Sequence, residues 1–129
     1  MKKKILIVNA SYYKEISDGL ILSALKLLEK QYSIKVINVP GVFEIPVTIS
    51  KNLKKFDAFI ALGCVIKGQT PHFDFISQAS TTAIMTLSIE SRKPIGNGII
   101  TCLNMKQAKE RKKKGAEAAK AIISILNQR

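Results

Sequence analysis

Four short apolar runs, at residues 5–8, 33–39, 58–66 and 94–101, alternate with segments whose apolar residues recur at helical spacing. The first run, Ile5, Leu6, Ile7 and Val8, is continuously apolar, as a strand buried on both faces must be. Ile16, Leu20, Ala24, Leu27 and Leu28 follow at helical spacing up to Tyr32. Ile34, Val36, Ile37 and Val39 mark a second strand, which Pro40-Gly41 stops. Ile45, Ile49 and Leu53 stand four apart and predict a second helix, whose first turn accommodates Pro46. Residues 58–66 are the most apolar segment and are expected to form the central strand. Phe73, Ile76, Ala83, Ile84 and Leu87 mark a third helix, and Ala116, Ala119, Ile122, Ile123 and Leu126 a last one. Residues 107–111 are expected to add a helical turn or two before it.

Strand and helix alternate four times, with connections long enough for parallel crossovers. The expected fold is α/β: a three-layer α/β/α sandwich on a four-stranded parallel sheet, doubly wound in the flavodoxin-like manner. At 129 residues the chain makes one domain, spanning 1–129, with no linker or internal repeat. A domain of this size buries about two thirds of its unfolded surface, enough for a core without staples. A composition of 47% hydrophobic and 23% charged residues excludes a disordered tail, a collagen-like repeat and a bare coiled coil.

Cys64 and Cys102 lie far apart in sequence, inside apolar runs and without a CxxC pair. They read as buried thiols, not as a disulfide framework or a zinc site. The single histidine, His72, excludes a multi-histidine metal centre within one chain. Residues 58–66 are half the length needed to span a bilayer. Lys2-Lys3-Lys4 and the apolar residues 5–8 mimic a signal peptide, but Asn9 ends the run short of the about 7–15 residues a signal core needs. The expectation is a cytoplasmic protein with no membrane partner.

Charge is the compositional outlier: 21 basic against 9 acidic residues leave +12. A field of that sign favours phosphorylated metabolites, nucleic acid or acidic lipid as partners. All the basic residues except Arg92, Arg111 and Arg129 are lysines. Base readout favours arginine, so sequence-specific DNA binding is disfavoured. A solvated lysine surface with no partner is equally open.

Open parallel sheets bind ligands beyond the carboxyl ends of their strands. Those ends carry Asn9-Ala10-Ser11-Tyr12-Tyr13, Val39-Pro40-Gly41-Val42-Phe43-Glu44, Lys67-Gly68-Gln69-Thr70-Pro71-His72-Phe73-Asp74 and Thr101-Cys102-Leu103-Asn104. Gly68-Gln69-Thr70 leads into the third helix, where backbone amides and the positive helix end could hold a phosphate, although most glycine turns merely turn. His72 is suited to proton transfer near neutral pH; a lone histidine is more often structural, but its place beside an anion-binding turn reverses those odds. Glu44 either faces the helix dipole or accepts hydrogen bonds from a ligand's hydroxyl or amide groups. Tyr12 offers a flat face for ring stacking or packs over the sheet edge. Arg111 has the donor fork to clamp a phosphate, unless residues 109–114 are only a solvated charge run.

Together these segments resemble a known family. Val39-Pro40-Gly41-Val42-Phe43-Glu44-Ile45-Pro46 resembles the VPGxxEIP segment of lumazine synthases. Ala61-Leu62-Gly63-Cys64-Val65-Ile66-Lys67-Gly68-Gln69-Thr70-Pro71-His72-Phe73-Asp74 is similar to that family's ALGxVIRGxTxHxD signature. Gly96-Asn97-Gly98-Ile99-Ile100-Thr101, Gln107-Ala108, Arg111 and Lys114-Gly115 follow in the family's order, so the match is collinear over nearly the whole chain.

The resemblance implies a transferase of riboflavin biosynthesis. It would condense 5-amino-6-(D-ribitylamino)uracil with 3,4-dihydroxy-2-butanone 4-phosphate to 6,7-dimethyl-8-ribityllumazine, releasing phosphate and water. No metal or redox cofactor is implied. By position, Tyr12 would stack on the pyrimidine, where the family usually has phenylalanine. Val42, Phe43 and Glu44 would bind the ribityl chain, and the backbone of Val65, Ile66 and Lys67 would meet the pyrimidine edge. Gly68, Gln69 and Thr70 would hold phosphate, and His72 would shuttle protons. Family sites lie between neighbouring subunits of a pentamer, so Asn97, Arg111 and Lys114 would come from the neighbour, with Arg111 as the main phosphate clamp.

Four departures stand out. Lys67 replaces the usual arginine, keeping the charge and losing planar two-point contacts. Asn97 stands where many members have an aromatic residue. The family's connection between Arg111 and Lys114 is generally longer, which leaves open whether Lys112, Lys113 or Lys114 reaches the site. The first strand starts almost at Met1, so the arm linking pentamers in capsid-forming members is expected to be missing. A pentamer is the expected assembly, with a decamer or sixty-subunit shell unsupported. Three rivals remain: a basic module binding RNA or DNA, a phosphoacceptor signalling domain, and a flavin carrier without catalysis. The second needs acidic residues beyond strands one and three, where Asn9 and Lys67 stand instead. Nucleic acid is not an expected partner; small-molecule substrates are.

Overall fold

A computed structural model of the chain describes residues 2–128. Strands β1 (Lys4–Ala10), β2 (Ser33–Val39), β3 (Ala58–Ile66) and β4 (Ile95–Cys102) form one parallel sheet in the order β2-β1-β3-β4. Helices α1 (Lys14–Leu28) and α5 (Lys114–Leu126) cover one face; α2 (Ile45–Lys51) and α3 (His72–Ser91) cover the other. A six-residue helix, α4 (Met105–Glu110), stands between β4 and α5. This is the doubly wound three-layer sandwich that the alternation of elements requires.

The two-residue period of a strand divides the core between the faces. Ile5, Ile7, Ile60, Leu62, Cys64, Ile100 and Cys102 pack with Ile16, Leu20, Ala24, Ala119 and Ile122. Leu6, Val8, Phe59, Ala61, Val65 and Ile99 pack with Val42, Ile45, Ile49 and Ile84. β1 and β3 are therefore buried along almost their whole length, with Asn9 the one buried polar side chain of β1, donating to Asn38 Oδ1 at 3.1 Å, whereas β2, at the sheet edge, buries only Val39. Both cysteines are free and buried. Among the described residues no helix is long and apolar enough to cross a membrane.

Element boundaries shift slightly for local reasons. The first helix stops at Leu28 rather than running to Tyr32, because Ser33 must donate to the Lys3 carbonyl at 2.9 Å to begin pairing with β1. The second ends at Lys51, and Leu53 packs on the core from the following turn. β4 starts one residue after Pro94, which has no N–H to give but whose carbonyl accepts the Phe59 N–H at 3.0 Å.

Candidate active site

The carboxyl ends of β1 and β3 and the turn after β2 enclose a cavity of about 630 Å³. Tyr12, Val42, Phe43, Glu44, Val65, Ile66 and His72, all singled out in the sequence, line it. Tyr12 is 76% exposed and Phe43 70%, so two aromatic faces stand open to a ligand. Tyr13 holds Tyr12 edge-on, with ring centroids 4.9 Å apart and planes at 82°. Val42–Glu44 is a single 3-10 turn, fixed because Glu44 Oε1 accepts the Gly41 N–H at 2.9 Å. That bond leaves the carboxylate's other oxygen, and the remaining lone pairs of Oε1, for a ligand's hydroxyl groups.

Lys67, Gly68, Gln69 and Thr70 form the exposed turn from β3 into α3, beside this cavity but not among its lining residues. Thr70 Oγ1 accepts the His72 N–H at 3.4 Å. His72 is the first residue of α3, a twenty-residue helix whose N–H groups and positive end face the turn. Ile76, one helical turn on, completes the wall below the imidazole.

Asn97, Arg111 and Lys114 are elsewhere. They line a second cavity of about 740 Å³, on the flank of the edge strand β4, together with Thr81, Thr101 and Lys113. No residue lines both cavities. Within one chain, Asn97, Arg111 and Lys114 therefore stand apart from the pocket at the first three strand ends. Arg111 Nη1 donates to the Thr101 carbonyl at 3.3 Å, leaving its other guanidinium donors exposed. Asn97 Oδ1 accepts the Ile99 N–H at 3.0 Å and so blunts the open edge of β4. Of the three adjacent lysines, Lys113 and Lys114 face this cavity, while Lys112 reaches Glu15 on α1 at 3.7 Å.

The segment bearing Arg111 is held by a small set of contacts. Asn104 Oδ1 accepts the Gln107 N–H at 2.9 Å, and Gln107 Oε1 accepts the Leu103 N–H at 2.8 Å, a reciprocal cap that starts α4. Ser23 Oγ on α1 donates to the Lys112 carbonyl at 2.9 Å and accepts the Ala116 N–H at 3.0 Å. Gly115 lets α5 approach α1 so closely that a Cβ there would lie 2.0 Å from the Leu20 carbonyl oxygen.

Cys64 also lines the first cavity. Burial, then the adjacent Cys102 on the neighbouring strand, pushes its thiol up to about 12, so at neutral pH it is protonated and no nucleophile. Burial likewise raises the Tyr13 phenol. Sequence reasoning had not nominated Tyr13, Gly41, Cys64, Ile76 or Thr81 as site residues, and had left Lys113 open as an alternative to Lys114. Only Ile76 carried a usable signal, its place four residues after His72 on one helix face.

Fold and site define a doubly wound α/β protein with an aromatic-lined pocket at its strand tips and a separate cavity on its flank, where Arg111, Lys113 and Lys114 stand with Glu110 and Glu117. The family model for 6,7-dimethyl-8-ribityllumazine synthase matches residues 2–129. The curated enzyme of that name from Bartonella tribocorum is 42% identical, with 98% of this chain and 91% of the relative covered. The one from Zymomonas mobilis is 40% identical, with 96% and 94% covered. The chain belongs to the 6,7-dimethyl-8-ribityllumazine synthase family.

Proposed function

We propose that the chain condenses 5-amino-6-(D-ribitylamino)uracil with 3,4-dihydroxy-2-butanone 4-phosphate, giving 6,7-dimethyl-8-ribityllumazine, phosphate and water. The observation that carries this reading is the single cavity joining Tyr12, Glu44 and His72: an open aromatic face, a hydroxyl acceptor and a proton carrier. The pyrimidine stacks on Tyr12, with its polar edge on the backbone of Val65, Ile66 and Lys67. The ribityl chain runs along Val42 and Phe43 to Glu44.

The ring amine attacks the ketone and water leaves, forming an imine. Phosphate is then eliminated, and the second nitrogen closes the ring with loss of another water. Imine formation between two small molecules is feasible in water, so the protein's main contribution is to hold them together. His72 moves protons between the reacting nitrogen and oxygen atoms. Gly68, Gln69 and Thr70 accept the phosphate from one side.

Arg111, assisted by Lys114 and with Asn97 beside it, clamps the phosphate from a neighbouring subunit. Two features favour that arrangement. The clamp and the ring pocket occupy different cavities of one chain. α3 fully buries only Ser80 and Ile84 and leaves the apolar Phe75, Met85 and Ile89 exposed. A contact between unlike surfaces is heterologous and builds a ring when its rotation closes, and a pentamer is the ring we infer. Its setting is the cytoplasm, where thiols such as Cys64 and Cys102 stay reduced.

Mixing the two substrates with the protein should produce the absorbance and fluorescence of the lumazine, with release of inorganic phosphate. A protein that binds flavin or lumazine but forms none from these substrates would refute the reading.

A further inference from the structure

The amino ends of the strands, at the sheet edge opposite the candidate active site, gather lysines from three separate segments. The order β2-β1-β3-β4 sets β1, β3 and β4 side by side, so the residues before each strand become neighbours. Lys2, Lys3 and Lys4 enter or precede β1, Lys54 and Lys55 precede β3, and Lys93 precedes β4. Together they line a basin of about 370 Å³, in which Phe56 and Asp57 are the other lining residues among those described.

The basin is built before any ligand arrives. Lys93 Nζ donates to the Leu53 carbonyl and, at 2.8 Å, to the Phe56 carbonyl, which fixes the loop before β3. Asp57 N–H donates to the Lys4 carbonyl at 2.7 Å, and Asp57 Oδ2 accepts the Lys4 N–H at 2.7 Å. Asp57, the one carboxylate among the described lining residues, is thus engaged with backbone. Lys2, Lys3, Lys4, Lys54 and Lys55 are exposed, and none has an ion-pair partner among the described residues. Like charges gathered around a concavity repel one another and raise the local concentration of anions.

We propose that this basin binds a chain of phosphoryl groups. Ammonium groups act as mobile point charges, each with three donors, and match a ligand that presents charge and acceptor oxygens at short repeats. A single carboxylate or phosphate would leave most of the rim uncompensated. A nucleic-acid strand fits less well: among the described residues the basin is lined by no arginine, and the one aromatic, Phe56, is half-buried against Phe59 with ring centroids 6.1 Å apart.

Titration calorimetry of the whole protein with inorganic tripolyphosphate, and separately with orthophosphate, tests this. Tripolyphosphate should bind, weaken with added salt, and lose roughly thirtyfold in affinity in Lys54→Gln/Lys55→Gln at low ionic strength. Lys3→Gln alone should lose a smaller factor, and Arg111→Ala, which alters only the flank cavity, should keep the binding event. Equal affinity in unmutated and lysine-substituted protein would overturn the proposal. So would loss of the event in Arg111→Ala, orthophosphate binding as tightly as tripolyphosphate in Arg111→Ala with that binding lost in Arg111→Ala/Lys54→Gln/Lys55→Gln, or a single-stranded oligonucleotide of equal charge binding more tightly.

Discussion

Arg111 and His72 carry unequal shares of the proposed reaction, and their surroundings explain the difference. Arg111 offers exposed guanidinium donors from a position fixed by the Thr101 carbonyl. A charge-assisted bond of that kind contributes about 1.5–3 kcal/mol, so Arg111→Ala should raise KM for the phosphorylated substrate roughly ten- to hundredfold, with a smaller effect on the pyrimidine. Steady-state kinetics with each substrate varied in turn would check it. His72 assists steps that also proceed in water, so His72→Ala should lower kcat by less than about a hundredfold. Cys64 gives a prediction in pH. Its thiol holds its proton in the folded chain up to about 12 and releases it near 9 when unfolded. The native state then binds more protons between those values, so stability is full below about pH 9 and declines toward pH 12. The urea midpoint should fall over that range, and Cys64→Ala should flatten the fall; the Tyr13 phenol, also raised by burial, leaves a residual slope.

At the scale of elements, α5 and the turn before it decide where Arg111, the proposed phosphate clamp, stands. Gly115→Ala would add the helix propensity of alanine, about 1 kcal/mol, yet its Cβ would lie 2.0 Å from the Leu20 carbonyl oxygen, a backbone atom that cannot yield cheaply. The clash should win, with a net loss of about 1–3 kcal/mol and a raised KM for the phosphorylated substrate as the segment with Arg111 shifts. Thermal unfolding together with kinetics would separate the two effects. Elements of this kind were legible in the sequence because burial leaves a periodic record: residues 58–66 had to be an inner strand, and Ile122 and Leu126 had to share a helix face. The pocket around Tyr12, Glu44 and His72 was legible too, since parallel crossovers bring those strand ends to one edge. The placing of Arg111 was not. It follows from Ser23 and Gly115 packing α5 on α1, contacts between residues that carry no periodic or motif signal of their own. Nor does anything in three consecutive lysines tell that Lys112 would turn to Glu15 while its two neighbours face the cavity.

For the molecule as a whole, the decisive matter is whether the two cavities act as one site across a subunit junction, as proposed. If the ring pocket of each subunit is completed by the clamp of the next, two damaged chains can repair each other. Tyr12→Glu sets a charge on the stacking face while leaving the clamp; Arg111→Ala removes the clamp while leaving the pocket. Both side chains are exposed, so neither change disturbs the core. Each variant alone should be nearly inactive at low substrate concentration. Assembled together in equal amounts at random, a heterologous ring pairs an intact pocket with an intact clamp at about one junction in four, because each junction needs both intact halves at once. The mixed assembly should regain about a quarter of the unmutated activity, while a mixture of the separately assembled rings should regain none. Native mass measurement on the same samples would show that both chains share one particle. Activity absent from such mixed particles would place pocket and clamp in a single chain, against the junction inferred here.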